Sequence, residues 1–448
     1  MIGGTQNVII SGCRVWDVIG DVDPNHGGIN IFTRSDLGNE NITVENCEIW
    51  DSDAGVVIKS TKQTNIVTKN NYLHDFVDEG IHDIGANSIL DHNIIYNARQ
   101  GIECVNNYDS AIAPNPTITY NTILNSVHGT NLADWHTSDD VRVESFKHNI
   151  IYSNELGGDY YALHDTTYGN LGAKFTYADY NMFYHPSTNN IIEYNPSGGV
   201  IDLNTYQTAT GLEQNSQQVN PLFMTISNKD FRLSSGSPAR TASSTGDYIG
   251  AINPDEQIGR IEIHPLQITL NQNDEYLFIV KIFDIYENEI PPGHFPVQWS
   301  ADNAVIDQNG VYTKTTSLQD TVHVNVDGYI YDAIVFDSSS QSICGDTVCD
   351  LGETCSSCLA DCPTGTGEVC CLGSIHTGNC CDDHDCISPE ICVNYTCTTS
   401  TICGPADTNS DNIVSITELM SYIADWKSGS VTITDLMTGI GEWKNGCS

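Results

Sequence analysis

One twelve-residue segment near the carboxyl end of the chain carries the oxygen donors that a hard cation requires. The donors stand at loop positions 1, 3, 5, 7, 9 and 12 and come from Asp407, Asn409, Asp411, the main-chain carbonyl of Ile413, Ser415 and Glu418. Calcium takes six or more oxygens, and calcium loops that precede a helix have this spacing. The sequence therefore predicts calcium as a cofactor. The alternative is an acidic loop before a helix, with Asp407 or Ser415 as the helix cap.

Five residues in the first quarter of the chain could do acid–base chemistry if the fold brings them together. They are Lys59, Asp78, His82, Arg99 and Glu103. A lysine or histidine can remove a proton while a neighbouring cation stabilises the resulting anion, and two carboxylates can act as an acid and a base. These residues are far apart in sequence, so the elements that carry them decide whether they meet.

A short motif that recurs six times indicates those elements. It begins at Cys13, Cys47, Asn71, Asn93, Asn121 and Asn149 and reads CRVWDV, CEIWDS, NYLHDF, NIIYNA, NTILNS and NIIYSN. The motifs begin 22 to 34 residues apart. Repeats at such intervals indicate a solenoid of stacked coils. We expect the asparagines at an inward bend, where each amide bonds to its counterpart in the next coil and has a structural role.

Glycines also recur once per repeat, at Gly55, Gly80, Gly101 and Gly129. Each lies 8 or 9 residues after the cysteine or asparagine that opens its motif. Each coil is therefore expected to hold two short strands around a turn. After Gly101 the pattern alternates, so Ile102 and Cys104 should point inward and Glu103 outward.

Stacking the coils by their glycines aligns two outward-facing groups. One is the strand column Asn30, Val57, His82, Glu103 and Asn131, with Lys59 two residues beyond Val57, and the other is the turn column His26, Asp53, Asp78 and Arg99. Neighbouring coils lie about 4.8 Å apart, so the five candidate residues should converge within the length of one sugar.

The repeats resemble the right-handed parallel β-helix family, the pectate-lyase-like solenoid of secreted polysaccharide-active proteins. The likeness covers residues 1–258 and includes the closing segment Asn220-Pro221-Leu222-Phe223. It implies a secreted, modular, carbohydrate-active protein that cleaves a polysaccharide. The same fold serves lyases, glycosidases, epimerases and non-enzymatic surface proteins, so it does not choose the chemistry.

Three roles remain open for the candidate residues. In a lyase or epimerase acting on uronate glycans, Lys59 or His82 would remove the proton and Arg99 would stabilise the anion. In a glycosidase, Asp78 and Glu103 would flank the scissile bond. In a non-catalytic glycan-binding or adhesive surface protein, they would be solvated residues, with His82 bonded to Glu103.

Composition limits the partners and the location of the protein. A net charge of −41, from 58 acidic and 17 basic residues, excludes nucleic acid, because phosphate binding requires a basic face. No apolar run approaches the length of about 18 residues that a membrane span needs. Met1 opens almost directly onto a coil, so we expect a missing signal peptide and missing first coils, and an extracellular or cell-surface location.

Residues 259–338 read as a small β-sandwich. Apolar runs such as Tyr276 to Ile282 are separated by turn residues, and the segments around Asp284, Val297 and Asp307 resemble bacterial immunoglobulin-like domains. The resemblance implies a spacer. Trp299 is expected in its core rather than as a sugar platform.

Residues 339–400 form a cysteine-rich segment, with twelve cysteines between Cys344 and Cys397 and neither lysine nor arginine among them. Such a short segment cannot bury enough apolar surface unaided, which favours a disulfide framework. The alternative is zinc, because Cys355 and Cys358 have ligand spacing. The opening of the segment resembles a cysteine-rich repeat of secreted bacterial and archaeal proteins.

Residues 401–448 contain an internal duplication. The stretch from Val414 to Lys427 recurs 17 residues later from Val431 to Lys444, which predicts a pair of similar helices. With the preceding acidic loop, the pair resembles a dockerin-like, EF-hand-like domain with one calcium instead of two. The resemblance implies anchoring to a cohesin-like or cell-surface scaffold partner. Cys403 and Cys447 bracket the unit and could staple its ends.

The predicted architecture is therefore mainly β. A right-handed parallel β-helix solenoid is followed by a small β-sandwich, a disulfide-rich module and a small α-helical calcium-binding domain.

Overall fold

The structure is a computed structural model. It describes residues 5–18, 27–32, 38–59, 62–106, 114–134, 141–153, 160–164, 171–194, 199–338, 368–371, 374–377, 390–393, 396–399, 406–408 and 414–445.

Short strands occupy the amino-terminal part of the chain. In chain order they are β1 (Gln6–Ser11), β2 (Arg14–Trp16), β3 (Gly27–Phe32), β4 (Glu40–Glu45), β5 (Glu48–Ser52), β6 (Ala54–Lys59), β7 (Val67–Lys69), β8 (Tyr72–Phe76), β9 (Glu79–Asp83), β10 (Ile89–Asp91), β11 (Ile94–Tyr96), β12 (Gln100–Asn106), β13 (Thr117–Thr119), β14 (Thr122–Leu124), β15 (His128–Asp134), β16 (Ser145–Lys147), β17 (Ile150–Tyr152), β18 (Tyr161–His164), β19 (Ala178–Asp179), β20 (Met182–Tyr184), β21 (Ile192–Tyr194) and β22 (Gly199–Ile201).

These strands form three long sheets. The first has the order β1-β4-β7-β10-β13-β16-β19, the second β2-β5-β8-β11-β14-β17-β20, and the third β3-β6-β9-β12-β15-β18-β21-β22. Neighbouring strands are parallel except for β21 and β22, which are antiparallel. Each full coil thus contributes three strands, and the expectation of two strands per coil was wrong. The additional strand, for example β7 before Asn71, has only three residues, too few to show an alternating pattern.

The asparagine column forms a hydrogen-bonded ladder through the stack, which confirms its structural role. Each amide oxygen accepts the main-chain N–H of the asparagine one coil earlier, at 3.2 Å for Asn71 to Asn93 and 3.0 Å for Asn93 to Asn121. The side-chain amide groups also donate along the column, from Asn121 to Asn149 at 3.1 Å and from Asn149 to Asn181 at 3.1 Å. All five amides are buried, and the ladder satisfies polar groups that would otherwise be costly to bury.

A closing segment follows the last coil; its helix packs on the interior core through Leu203 and Tyr206, and the rest of it lies against the outer face of the second sheet. It contains α1 (Leu203–Thr210), β23 (Phe223–Thr225) and β24 (Asp230–Leu233), with short 3-10 turns at Ile226–Asn228 and Pro238–Thr241; a further such turn, Leu171–Lys174, lies earlier within the stack. Phe231 packs in one cluster with Tyr72, Ile94 and Leu124. Much of the outer face of the second sheet is thereby covered, whereas Trp16 in its first strand is 40% exposed.

Residues 258–337 form strands around one separate core. They are β25 (Ile258–His264), β26 (Gln267–Leu270), β27 (Glu275–Leu277), β28 (Ile279–Asp284), β29 (Val297–Ala301), β30 (Val305–Ile306), β31 (Val311–Thr313), β32 (Asp320–Val326) and β33 (Tyr329–Asp337). The sheets are β26-β33-β32-β29, β27-β31-β30 and β25-β28. Trp299 is 5% exposed in this core beside Phe278 and Tyr312, which confirms that it is a core residue. The immunoglobulin-like assignment stays a prediction.

Arg14 joins this unit to the β-helix. Its guanidinium donates to the main-chain oxygens of Phe278 and Asn309, at 3.3 and 3.4 Å, and pairs with Glu48 at 2.9 Å. A recess of about 430 Å³ lies at this junction, lined in part by Tyr72 and Trp299. The charges of Arg14 and Glu48 serve the contact between the two units.

In the cysteine-rich segment, the described strands are β34 (Glu368–Cys371), β35 (Ser374–Thr377), β36 (Glu390–Val393) and β37 (Thr396–Thr399). They form two antiparallel hairpins, β34 with β35 and β36 with β37. The predicted disulfide framework, and zinc as its alternative, depend on cysteine side chains that lie outside the described part of the structure.

The carboxyl-terminal segment contains the predicted helix pair, α2 (Ile416–Ser428) and α3 (Ile433–Asn445). Leu419 and Tyr422 of α2 and Leu436 of α3 share a small core with Ala406 and Val414. In the part of the chain that is described, no helix is both long and apolar enough to cross a membrane.

Candidate functional site

The outer face of the third sheet carries the predicted column of residues in register. Cα pairing runs from Asn30 to Val57, His82, Glu103 and Asn131. The stacking predicted from the glycines is therefore confirmed. Asn30 is exposed, whereas the other four side chains are between 0% and 5% exposed, so His82 and Glu103 are not the solvated residues of the non-catalytic alternative. The column continues one coil further, to His164.

A second polar column, absent from the sequence prediction, lies beside the first. A Cβ at Gly80 would lie 2.4 Å from the Ile95 side chain, inside the coil, so this position faces inward. Ile81 also belongs to the interior core. Two successive inward residues shift the alternation, and Glu79 joins His82 on the outer face.

The same turn recurs along the sheet. A Cβ at Gly101 or Gly129 would also lie 2.4 Å from an interior isoleucine of the next coil. The outward pairs are Glu79 with His82, Gln100 with Glu103, His128 with Asn131 and, with Ala162 in place of glycine, Tyr161 with His164. The sequence signal for the second column is a polar or aromatic residue directly before the glycine.

His82 and Glu103 form the centre of the site. His82 Nδ1 lies 2.9 Å from Glu103 Oε2, and Asn131 Nδ2 donates to Glu103 Oε1 at 2.8 Å. Burial acts to raise the pKa of Glu103, but its hydrogen-bonded contact with His82 outweighs burial and leaves the pKa below its ordinary value. Glu103 is therefore ionised, and both of its oxygens accept hydrogen bonds.

Glu79 completes a compact trio with His82 and Glu103. One oxygen or nitrogen atom from each of the three lies within 4.8 Å of the others, and all three residues are buried. Burial, together with the negative charges of Glu103 and Asp78, raises the pKa of Glu79 to about 9. At neutral pH one carboxyl group of the trio is thus protonated and the other ionised, as in acid–base pairs of enzymes.

Asp78 and Arg99 border the trio. Arg99 Nε donates to Asp78 Oδ1 at 2.6 Å, and the Arg99 side chain is half exposed. The Asp78 N–H donates to the carbonyl of Asp53 at 2.9 Å, so the predicted turn column is aligned here. His26, also assigned to that column, lies outside the described residues.

Lys59 lies at the margin of the site. It is two residues past Val57, at the end of β6 and opposite Phe32. Its backbone is therefore displaced from that of His82 by about 7 Å along the strand direction. The structure thus brings together four of the five predicted residues, namely Asp78, His82, Arg99 and Glu103, and adds Glu79.

The arrangement is suited to proton transfer. Glu103 holds His82 through Nδ1, which leaves Nε2 as the nitrogen that can exchange a proton with a ligand. Glu79 supplies a carboxylic acid next to it. Carboxyl oxygens and an imidazole nitrogen are also common ligands of divalent cations. The trio could therefore hold a metal ion.

Half of the predicted calcium ligands can be placed. Thr408 N donates to Glu418 Oε1 at 3.1 Å, which joins positions 2 and 12 of the loop. Ser415 and Glu418 form a capping box at the start of α2, and the same box recurs at Thr432 and Asp435 before α3. Since the second copy has no acidic loop, the box belongs to the start of the helix. Asn409, Asp411 and Ile413 lie outside the described residues, and calcium stays a prediction.

The comparisons with known proteins agree with the fold. Residues 1–175 match the family model described as right handed beta helix region. A search of curated proteins found no match for this chain. Together with the stacked parallel sheets, the family match shows a β-helix fold for the amino-terminal part of the chain.

Proposed function

We propose that this chain is a secreted, modular, carbohydrate-active protein whose β-helix cleaves a polysaccharide on the outer face of the third sheet. The observation that carries the proposal is the buried His82–Glu103 pair beside a protonated Glu79. Burying such groups is costly, and strongly shifted carboxyl groups on one face favour a catalytic role over a structural one. Proteins with this fold are often carbohydrate-active.

The geometry favours a lyase acting on a uronate glycan. His82 Nε2 would take the proton beside the uronate carboxylate, and Glu103 would stabilise the imidazolium. As the carbon–oxygen bond to the leaving sugar breaks, Glu79 would protonate the leaving oxygen. The half-exposed Arg99 would offset part of the charge on the substrate carboxylate.

A glycosidase is the second candidate and is less favoured. Both oxygens of Glu103 already accept hydrogen bonds, and Asp78 is paired with Arg99. A hydrolase needs one carboxylate free to attack the sugar or to activate water. An epimerase would use the same proton abstraction as the lyase and differs in where the proton returns.

The other modules would anchor the enzyme and space it from its attachment point. We propose that the calcium loop at residues 407–418 and the helix pair form a dockerin-like anchor for a cohesin-like or cell-surface scaffold partner. Residues 259–338 would be an immunoglobulin-like spacer, and the cysteine-rich segment a disulfide-stabilised one. An extracellular or cell-surface location is consistent with these modules.

The test is incubation of the whole chain with a panel of uronate and neutral polysaccharides plus calcium. A lyase releases unsaturated products that absorb in the ultraviolet, whereas a hydrolase releases reducing ends without that absorbance. His82→Ala or Glu103→Ala should lower the rate about 10²- to 10⁴-fold. His323→Ala, which removes a histidine held by Asp302 and Asp332 on the sandwich, is the matched control and should keep full activity.

One observation supports the non-catalytic alternative, a glycan-binding or adhesive protein. Trp16 is 40% exposed and stacks on the buried Trp50, with ring centroids 5.2 Å apart. Exposed flat rings can bind the apolar face of a sugar. An absence of cleavage across the panel, with glycan binding that is lost in Trp16→Ala, would overturn the lyase proposal in favour of this alternative.

A further inference from the structure

Two buried polar atoms lie next to the trio and have no hydrogen-bond partner in the described part of the chain. They are Asn131 Oδ1 and His164 Nδ1. Asn131 and His164 are Cα partners in neighbouring coils. The two residues are 0% and 8% exposed, respectively. Buried polar atoms are normally paired, so this position calls for a ligand or a bound group.

Chemistry fixes which way the Asn131 amide points. Its nitrogen lies 2.8 Å from Glu103 Oε1 and 2.6 Å from Gln100 Oε1. The same atom faces an oxygen of each neighbour, and an amide nitrogen has two hydrogens to donate, so it must be the donating Nδ2. Asn131 Oδ1 is therefore the free atom, and it is an acceptor.

His164 presents a second acceptor. Burial and the neighbouring His128 lower the pKa of His164 to about 3, so the ring is neutral. Glu193 Oε2 lies 3.0 Å from His164 Nε2, which favours the tautomer that carries its proton on Nε2. The Nδ1 atom is then a bare lone pair.

Aromatic rings adjoin these two acceptors. The ring centroids of Tyr161 and His164 are 4.7 Å apart with planes at 14°, and those of His128 and His164 are 4.0 Å apart. His128 and Tyr161 are half-buried, so the ring stack extends from the two acceptors to the surface of the sheet. Apolar rings with a few converging polar atoms are typical of small-ligand sites.

We propose that Asn131 and His164 form a hydroxyl-binding subsite, which accepts hydrogen bonds from two neighbouring hydroxyl groups of the sugar next to the one held at His82 and Glu103. This inference rests on the proposed function. Two adjacent acceptors repel a carboxylate or sulfate and require donors, so the sugar unit here must present a free vicinal diol. The stacked rings would pack against its apolar face.

Binding to the whole chain in a His82→Ala background, where the ligand is not consumed, tests the subsite. The probes are neutral and uronate tetrasaccharides, titrated by calorimetry. His164→Phe keeps a ring in the stack but removes the acceptor. It should raise the dissociation constant about tenfold. His323→Phe, on the sandwich and outside the third sheet, is the control and should change affinity little. His164→Gln should restore part of the loss.

A chemical variant of the ligand makes the test independent of folding. Methylating the hydroxyl groups of the best tetrasaccharide should weaken its binding to the chain with His164, and it should cause little further loss in His164→Phe.

Three other outcomes of these binding experiments would each overturn a specific part of the proposal. Equal affinity in His164→Phe, with binding otherwise intact, would overturn the subsite alone. Binding of Mn²⁺ or Ca²⁺ without saccharide, abolished by His164→Phe, would assign the atoms to a cation instead. No binding of any saccharide would overturn the proposed function and the subsite with it.

Discussion

Asn181 Nδ2, in the last asparagine of the ladder, donates to both carboxyl oxygens of Glu213, at 3.1 and 2.9 Å. Ser216 continues the ladder by accepting the Asn181 N–H at 2.8 Å and by bonding to Glu213. Glu213 is fully buried. The last coil thus satisfies the ladder with a carboxyl group that comes from outside the repeat.

Stability should fall as pH rises because of Glu213. Burial raises its pKa to about 8, against the opposing hydrogen bonds from Ser216 and Asn181. The folded state keeps the proton that the unfolded state has lost above about pH 4.5, so this contribution is complete below pH 4.5 and lost by about pH 8. In Glu213→Gln, denaturant unfolding should depend less on pH across this window. The exposed Glu275→Gln is the control, and identical profiles for all three proteins would contradict the prediction.

The glycine column should not tolerate a side chain at Gly101, in the middle of the stack. In Gly101→Ala the new Cβ would lie 2.4 Å from the Ile123 side chain and 2.5 Å from the Gly129 oxygen. We expect a loss of about 1–3 kcal/mol in the free energy of unfolding, as in other overpacked cores. Gly199→Ala meets no atom within 4 Å and should change stability little. Equal stability of the two variants would show that the coils can separate at this position.

The asparagine ladder should be sensitive to the loss of a single amide. Asn121 donates to the main-chain oxygen of Leu90 at 2.8 Å and accepts from Asn93. Asn121→Ala leaves buried groups of both neighbours unpaired, which should lower the free energy of unfolding by about 2 kcal/mol or more. The comparison is Asn65→Ala, whose side chain bonds Asn41 at an exposed position. A smaller loss for Asn121→Ala than for Asn65→Ala would be inconsistent with this role.

The proposed lyase should lose activity at alkaline pH. Glu79 must be protonated to act as the acid, and its pKa is raised to about 9 by burial and by Glu103 and Asp78. The rate should fall as pH rises through about 9, since the acid form disappears there. Glu79→Gln should be slow at every pH and should lack this alkaline decline. A Glu79→Gln enzyme with the normal rate would exclude Glu79 as the acid.

The whole chain should bind one calcium ion at the loop that begins at Asp407. Calorimetric titration should show binding in or below the millimolar range, as in other extracellular calcium modules. Asp407→Ala should abolish it because the first ligand is lost. Asp425→Ala, within α2 and away from the loop, should leave binding unchanged. Binding that survives in Asp407→Ala would place the ion elsewhere.

The sequence by itself determined the stacking of the coils. The asparagine and glycine columns align the coils, because an inward amide and a position without a side chain recur once per turn. That alignment is enough to predict that His82 pairs with Glu103 and that Asp78 meets Arg99. Such predictions succeed because the repeat carries the register in its own spacing.

Tertiary structure alone decided the composition and the charge state of the site. Glu79 reaches the outer face because Gly80 and Ile81 both turn inward, which simple alternation does not anticipate. Its proton is retained because burial and carboxylates from its own coil and the next surround it. The free acceptors of Asn131 and His164 likewise depend on what neighbouring coils have already bonded. The burial and the protonation state of a side chain depend on residues that other coils bring next to it. The sequence of one segment does not reveal which residues those are.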